Sequence, residues 1–206
     1  MIAIVDYGVG NLFSLSSSLS AIGVAHTVTS DPAVIRAADK IILPGVGAFA
    51  DAKRLLSESG LDTVIVDEVK KGKAILGICL GMQMLFEESH EYGVHKGLSL
   101  LSGKVVSMKG VIPENYQIPH IGWNALDMKK EHPIFRYIKD GDHVYFVHSY
   151  YASGCEDSLI ATAEYGASLT AAVAKGNICG TQFHPEKSGE TGLAILRAFA
   201  EMETAK

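Results

Sequence analysis

A cysteine lies between two glycines in the segment GICLG, residues 77–81. This Gly-x-Cys-x-Gly spacing is that of a nucleophile elbow, with Cys79 in the position that serine occupies in many hydrolases. At such an elbow a strand turns sharply into a helix, and only small flanking residues fit. The helix N-terminus favours a thiolate, and the N–H of Leu80 is free to meet a developing oxyanion. A buried structural cysteine explains the motif equally well, so both interpretations stay open here.

A histidine and a glutamate two residues apart follow another apolar run, in the segment GTQFHPE. Side chains at positions i and i+2 of an extended chain share a face, so Glu186 can hold the ring of His184. Placed beside Cys79, the pair would supply a general base and the carboxylate that orients it. The combination predicts a catalytic triad of Cys79, His184 and Glu186.

A second oxyanion donor is expected from the loop PGVG, residues 44–47. The loop follows a predicted strand, and its glycines let a peptide unit turn its N–H toward the site. It lies beside the elbow if the strands at residues 41–43 and 74–78 are neighbours. A plain turn is the alternative, but the shared sheet edge favours an oxyanion role for Gly45, Val46 and Gly47.

The elements that position these residues alternate through the first half of the chain. Short apolar runs at residues 2–5, 41–43 and 74–78 predict buried strands. Helical stripes of apolar residues follow them; their members are Leu12, Leu15, Leu19 and Ile22, then Leu61, Val64, Ile65 and Val69, with Gly72 as a cap. A further helix is expected at residues 80–86. This alternation predicts an α/β fold with an open, mostly parallel sheet between helices.

The second half of the chain is richer in β-branched and aromatic residues with Gly/Asn turns. The segments GKVVSM, HVYFVHSYY, LIATAEY and LTAAVAKGNICGTQFH predict antiparallel strands that extend the sheet, with a hairpin turn at KGN and a last strand ending at Phe183. Leu193, Leu196 and Phe199 mark a final helix. Residues 109–119 show no periodicity and are expected to form a surface loop.

Composition and charge bound the class of protein. The chain has 206 residues, 48% of them hydrophobic and 20% charged, which predicts one soluble globular domain over residues 1–206. Its net charge is −5 and it has no basic stripe, so nucleic acid is not expected as a partner. No apolar stretch is long enough to span a membrane, and the N-terminus does not have the pattern of a secretory signal.

The cysteines do not have the spacing of a disulfide framework, and the histidines do not have the spacing of metal ligands. Three widely spaced cysteines argue against disulfides and favour a reducing compartment, with the cytoplasm as the expectation. Cys179 is expected in the core and Cys155, in a polar segment, at the surface. The eight histidines do not have the spacing of metal ligands, so neither a metal nor another cofactor is predicted.

Three segments together, LPGVGAF, GICLGMQMLF and FHPEKSG, resemble the class I, triad-type glutamine amidotransferases. The segments DYGVGNLFS, HIGWN and YFVHSYY are similar to one branch of that family, the glutaminase subunits of imidazole glycerol phosphate synthase. The resemblance covers essentially the whole chain. It implies that Cys79 attacks the side-chain amide of glutamine, and that glutamate and ammonia are released through a cysteinyl thioester.

The resemblance also implies which residues hold the substrate. It places the amino-acid end of glutamine against Gly47, Gln83, Glu91, His148 and Ser149. A carboxylate such as Glu91 suits an α-ammonium group. Glu91 also lies in the acidic run EESHE, where a solvated side chain is the alternative.

Ammonia must reach a second reaction before water protonates it, and the sequence shows no second domain to receive it. The branch implies a separate (β/α)₈-barrel cyclase subunit in a heterodimer, which makes imidazole glycerol phosphate and aminoimidazole-carboxamide ribonucleotide in histidine biosynthesis. By the same resemblance the subunit interface includes Asn11, Trp123, Tyr145 and Lys187. Trp123 suits an interface anchor, and a half-buried core position is the alternative.

Other functions fit parts of the sequence. An amidotransferase subunit of anthranilate or pyridoxal phosphate synthesis would share the triad. A cysteine peptidase or γ-glutamyl hydrolase could use the same scaffold. A binding module that has lost the chemistry is disfavoured because all three triad residues are present.

Overall fold

A computed structural model describes residues 1–203 of the chain. The strands in this part, in chain order, are β1 (Ile2–Val5), β2 (His26–Thr29), β3 (Lys40–Leu43), β4 (Ala74–Ile78), β5 (Glu88–Ser89), β6 (His95–Lys96), β7 (Lys104–Ser107), β8 (His120–Ala125), β9 (Asp127–Met128), β10 (His143–His148), β11 (Tyr150–Ser153), β12 (Leu159–Glu164), β13 (Ser168–Lys175) and β14 (Ile178–Thr181). The α-helices are α1 (Leu12–Ala21), α2 (Pro32–Ala37), α3 (Phe49–Glu58), α4 (Leu61–Lys70), α5 (Leu80–Met84) and α6 (Gly189–Glu201), with 3₁₀ turns at Pro133–Phe135 and Pro185–Lys187.

The central sheet has the order β2-β1-β3-β4-β14-β13-β12-β9. The first five strands in this order run parallel, and β13, β12 and β9 continue the sheet in antiparallel pairs. The predicted mostly parallel sheet with added antiparallel strands is confirmed. Strands β3 and β4 are neighbours, with Ile41 opposite Ile75, so the loop after β3 and the elbow after β4 leave the same sheet edge.

The inner strands of the parallel part, β1, β3, β4 and β14, bury both faces because helices cover the sheet on both sides. On one face Ile41 and Ile75 pack with residues of α3 and α4, including Leu56 and Ile65. On the other face Ile42 and Leu76 pack with Leu15 of α1 and Leu196 of α6. The even and odd positions of a strand therefore belong to two separate cores, as alternation along an extended chain requires.

Three elements of the first half do not follow from the sequence pattern. Strand β2 is an edge strand whose side chains are mostly half-buried, so it lacks the apolar run of the inner strands. Helix α2 has six residues and begins at Pro32, with Asp31 as its side-chain cap. Helix α3 buries Phe49, Ala52 and Leu56. The sequence pattern did not predict it, because it begins shortly after the Pro/Gly turn at residues 44–47. The expected helix at residues 80–86 ends at Met84.

The sequence predicts that all strands of the second half extend the central sheet, and this is wrong for two groups. The segment HVYFVHSYY breaks at Ser149 into β10, which pairs with β8, and β11, which pairs with β7. Strands β11, β7, β5 and β6 form a separate four-stranded sheet. The last strand ends at Thr181 rather than Phe183. Cys155 is also buried, contrary to the expected surface position.

Replacement of Gly81 by Ala is expected to destabilise the fold by about 3 kcal/mol or more, because the added Cβ would force α5 away from the end of β3. A Cβ atom at Gly81 would lie 1.8 Å from the carbonyl oxygen of Leu43 in the neighbouring strand. The matched control is Gly141→Ala, where φ is +86° and a Cβ meets nothing within 4 Å; its cost is roughly 1–2 kcal/mol from backbone strain alone. Urea unfolding of both variants measures the difference, and equal losses would contradict the close packing at the elbow.

Candidate active site

Cys79 occupies the sharp turn between β4 and α5. Its φ is +53° and its ψ is −110°, a strained conformation for a residue with a side chain. The turn depends on its glycine neighbours, because a Cβ at Gly77 would lie 2.7 Å from the carbonyl oxygen of Gly81. Cys79 is only 7% exposed, and its sulfur faces a cleft at the carboxyl edge of the parallel strands. The strand therefore presents the sulfur as the elbow motif predicts.

His184 and Glu186 reach the same edge from β14, which pairs with β4 in parallel. His184 Nδ1 lies 2.8 Å from Glu186 Oε1, and the two side chains are 2% and 3% exposed. Burial by itself lowers the pKa of His184, but hydrogen bonds to Cys79 and Glu186 and their negative charges raise it to about 9. The structure thus brings the three predicted triad residues together, with His184 paired to Glu186 and lining the same cleft as Cys79.

The candidate oxyanion donors lie on two adjoining segments. Leu80 begins α5, so its N–H has no partner within the helix. Val46 and Gly47 line the cleft with Leu80 and Cys79, and Gly47 has a φ of +90°. Gly45 lies behind them: a Cβ there would be 2.8 Å from the backbone nitrogen of Gly81. The loop is packed against the elbow itself.

Tyr7 also holds this loop, a role that the sequence pattern did not indicate. Its hydroxyl donates to the carbonyl oxygen of Pro44 at 2.8 Å. Burial raises the pKa of Tyr7, and the negative charge of Cys79 raises it further. The tyrosine therefore stays protonated and remains a hydrogen-bond donor beneath the loop.

The cleft beside Cys79 has a volume of about 660 Å³. The five predicted substrate contacts all line it, namely Gly47, Gln83, Glu91, His148 and Ser149. Glu91 accepts a hydrogen bond from the N–H of Phe49, at the start of α3, with Oε2 at 2.6 Å. Gln83 donates its amide to the carbonyl oxygen of Tyr150 at 3.0 Å, so its own oxygen is the atom left for a ligand.

His148 differs from the other cleft residues, because protein atoms engage both of its ring nitrogens. Nδ1 lies 2.9 Å from the carbonyl oxygen of Tyr150, and Nε2 lies 3.1 Å from Nδ1 of His120. Burial lowers the pKa of His148 to about 4, so the ring is neutral at pH 7. The ring forms part of the wall of the cleft and ties β10 to β8.

One of the four predicted interface residues, Lys187, lines this cleft, and two of the others lie on elements that contact its neighbours. Trp123 is 53% exposed and packs edge-on against Tyr145, with ring centroids 6.1 Å apart. The ammonium of Lys187 lies 5.9 Å from the centre of the Tyr145 ring, and Lys187 also lines the cleft. Asn11 precedes α1, which contacts the turn at Pro185–Lys187. The exposed apolar surface includes two further side chains that the sequence did not single out, Phe13 and Ile121.

Within residues 1–203 there is no group of three histidine, cysteine, aspartate or glutamate side chains placed to hold a metal ion. None of the helices in this part of the chain is long and apolar enough to cross a membrane.

A cysteine elbow has a His–Glu pair and a glycine-containing loop beside it at one edge of a parallel sheet. This is the arrangement of a candidate cysteine-nucleophile acyl-transfer site. The sequence profile of the class-I glutamine amidotransferases matches residues 3–202. The chain belongs to this family.

Curated relatives identify the branch that the chain resembles. It is 50% identical over 203 residues to the imidazole glycerol phosphate synthase subunit HisH of Caldanaerobacter subterraneus subsp. tengcongensis, covering 98% of both chains. It is 48% identical to the protein of the same name from Bacillus licheniformis, covering 98% of this chain and 96% of the relative.

Solved structures share the fold at low sequence identity. A crystal structure described as a glutamine amidotransferase superposes with a TM-score of 0.76 at 19% identity, covering 98% of both chains. The structure of PurLQS from Thermotoga maritima gives a TM-score of 0.72 at 19% identity, covering 96% of both chains.

Replacement of Glu91 by Gln is expected to raise the KM for glutamine about 10- to 100-fold with little change in kcat, because a hydrogen bond to a charged group is lost. Glutamine at this position keeps an oxygen for the N–H of Phe49, so the fold is preserved. Steady-state kinetics with glutamine measures the effect. The control is Glu88→Gln, on an exposed carboxylate paired with His90. A KM equal in both variants would exclude Glu91 from substrate binding.

Proposed function

We propose that this chain is the glutaminase subunit of an imidazole glycerol phosphate synthase. It hydrolyses glutamine to glutamate and ammonia and passes the ammonia to a cyclase subunit. The observation that carries the chemistry is the buried triad, in which His184 lines the same cleft as Cys79 and lies 2.8 Å from Glu186. Near-full-length identity of about half to relatives named imidazole glycerol phosphate synthase subunit HisH supports the branch.

The first half of the reaction forms a thioester. The Cys79 thiolate attacks the side-chain amide carbon of glutamine, and the C=O electrons move onto oxygen. The N–H of Leu80 and an N–H of residues 45–47 hold this oxyanion. The raised pKa of His184 keeps its ring protonated until this point, so it can protonate the leaving nitrogen. Collapse of the intermediate breaks the C–N bond, releases ammonia and leaves the glutamyl group on sulfur.

The second half hydrolyses the thioester. His184, now neutral, takes a proton from water as the oxygen attacks the thioester carbonyl. Glu186 stabilises the imidazolium that forms and holds the ring in place. The C–S bond then breaks, glutamate leaves and the thiolate–imidazolium pair is restored.

The cleft residues supply recognition in this proposal. Glu91 receives the α-ammonium of glutamine, and Gly47, Gln83 and the segment of His148 and Ser149 contact the rest of its amino-acid end. The oxygen of Gln83 is available for this contact because its amide nitrogen is engaged by Tyr150. The neutral ring of His148 forms part of the cleft wall.

The partner docks over the mouth of the cleft, at Asn11, Trp123, Tyr145 and Lys187. The exposed Trp123 packs edge-on against Tyr145, and the two rings supply the apolar and aromatic surface that interface anchors provide. Lys187 touches both the cleft and this surface, so contact with the partner can influence the triad. A single domain over residues 1–206 and a cytoplasmic location complete the proposal. The family match over residues 3–202 supports the single domain, and the three unpaired cysteines support the location.

A glutaminase assay with and without the candidate cyclase and its nucleotide tests the proposal. Glutamate release is expected to increase when the nucleotide-loaded partner is present, and glutamine is expected to support formation of imidazole glycerol phosphate. Equal rates in both conditions would count against coupling through Lys187. Peptide cleavage in place of ammonia release would assign the chain to another hydrolase class.

A further inference from the structure

Gln182 is a fully buried side chain two residues before the catalytic histidine. Its Nε2 lies 3.6 Å from the sulfur of Cys79, within reach of a hydrogen bond to sulfur. Its Oε1 lies 3.0 Å from Nε2 of Gln83, which in turn lies 3.0 Å from the carbonyl oxygen of Tyr150. Two amide side chains in series therefore connect a backbone carbonyl with the nucleophile.

The hydrogen-bond chemistry fixes the direction of this series. A backbone carbonyl can only accept, so the group of Gln83 that faces Tyr150 must be its NH₂. The second N–H of that NH₂ points to Gln182, so the facing atom of Gln182 must be its oxygen. The NH₂ of Gln182 is then the group that faces Cys79. Reversing either amide would place two donors or two acceptors against each other, at a cost for buried groups.

We propose that Gln182 is a catalytic residue that donates its amide N–H to the Cys79 sulfur and stabilises the thiolate. The inference rests on the proposed glutaminase chemistry at Cys79. A thiolate is the stronger acceptor than a thiol, so the donor favours the charged form. Burial of Gln182 strengthens the contact because water does not compete for its amide.

The sulfur loses its charge when the thioester forms and regains it when glutamate leaves. A fixed N–H donor therefore helps Cys79 to depart in the second half of the reaction, where the thiolate is the leaving group. Gln182 and His184 approach the sulfur from the same strand end but play different parts. His184 moves protons, whereas Gln182 contributes an immobile dipole.

Two variants and a matched control test this role in the full chain. Gln182→Met keeps the length of the side chain and removes the donor. Gln182→Glu keeps an acceptor for Gln83 and places a negative charge beside the sulfur. The control is Thr181→Val, which removes the adjacent buried hydroxyl; that hydroxyl donates to the carbonyl oxygen of Phe183 and does not contact the sulfur. The readouts are kcat and KM for glutamine and the pH dependence of Cys79 alkylation by iodoacetamide, located by mass spectrometry.

We expect Gln182→Met to lower kcat about 10-fold or more, to change KM less than about threefold and to move the alkylation midpoint up by about one pH unit. Gln182→Glu should move the midpoint further, because it adds a like charge. Thr181→Val should retain the kcat and midpoint of the wild type. A folded Gln182→Met with wild-type kcat and midpoint, or with a change in KM alone, would overturn the proposal.

If neither Gln182 variant folds, a measurement on the wild-type sequence tests the contact between Gln182 and the sulfur of Cys79. The side-chain amide protons of Gln182 must shift in the NMR spectrum when Cys79 is alkylated, and unchanged resonances would overturn the contact. The wild-type assay separates this inference from the proposed function. If the wild type does not release glutamate, the proposed glutaminase function is refuted. The pH midpoints of Cys79 alkylation and the NMR shift of the Gln182 amide protons still test the N–H···S contact in that case.

Discussion

Replacement of Cys79 by Ala is expected to abolish glutamate release from glutamine, lowering kcat by about 10⁴-fold or more, as removal of a covalent nucleophile does. No other side chain at the elbow can form the thioester. Leu80 and Gly81, which follow Cys79 at the start of α5, carry no nucleophilic atom. The methyl group of alanine occupies less space than the thiol and leaves the backbone of the turn intact. The loss should therefore appear in activity and not in assembly with the cyclase subunit.

Assay of the purified variant with its partner and saturating glutamine measures this effect. The control is Cys155→Ala: Cys155 is also buried, but its sulfur lies 3.7 Å from the hydroxyl of Thr170, outside the cleft. That variant should retain the wild-type rate. Substantial glutaminase activity in Cys79→Ala, with the partner bound normally, would refute the covalent mechanism.

Replacement of Glu186 by Gln is expected to lower kcat by about 10²- to 10⁴-fold, the range of general acid–base and orienting groups. The substitution preserves shape and removes the negative charge that faces His184 Nδ1 at 2.8 Å. That charge and its hydrogen bond help to raise the pKa of His184 to about 9 against the opposing effect of burial. Without them the pKa of His184 should fall toward its ordinary value, and the ring should lose the proton that ammonia departure requires.

The pH dependence of stability follows from the same shift. A histidine with a raised pKa contributes stability that is fully present below its unfolded pKa of about 6.5. That contribution is lost as pH rises through about 9, the folded value for His184. The stability difference between wild type and Glu186→Gln should therefore be largest near pH 6 and should shrink above pH 9.

Urea unfolding across this pH range and NMR titration of the His184 ring measure the two effects. The control is Glu190→Gln, an exposed carboxylate in the first turn of α6. It should alter neither the rate nor the titration. A difference between wild type and Glu186→Gln that grows above pH 9 would show that the imidazolium–carboxylate contact is not the source of the effect.

Much of the local architecture followed from the sequence because its causes are local. Apolar runs predicted the inner strands β1, β3 and β4, since strands covered on both faces must be apolar at every position. The glycines around Cys79 predicted the turn, since a Cβ at either would collide with backbone. The hairpin at residues 175–177 followed from its Gly-Asn turn.

Elements with weaker local signals needed the tertiary structure. The half-exposed edge strand β2 lacks an apolar run. Cys155 lies among polar neighbours in sequence, yet packing of distant segments buries it. The break at Ser149 sends β10 and β11 into different sheets, although the segment is uniformly rich in strand-forming residues. Strand propensity predicts that a segment is extended, but it does not determine which other strand the segment pairs with.

The sequence by itself determined which residues could do the chemistry: a cysteine between glycines, and a histidine with a carboxylate two positions on. Only the tertiary structure decided that they meet, because residues 79 and 184 approach through the parallel pairing of β4 with β14. The same pairing brings Gln182 to the sulfur. The pairing of β10 with β8 likewise places His148 beside His120, which engages Nε2 of its ring. Residue types and short spacings act over a few positions, whereas contacts across neighbouring strands depend on the order of strands in the completed sheet.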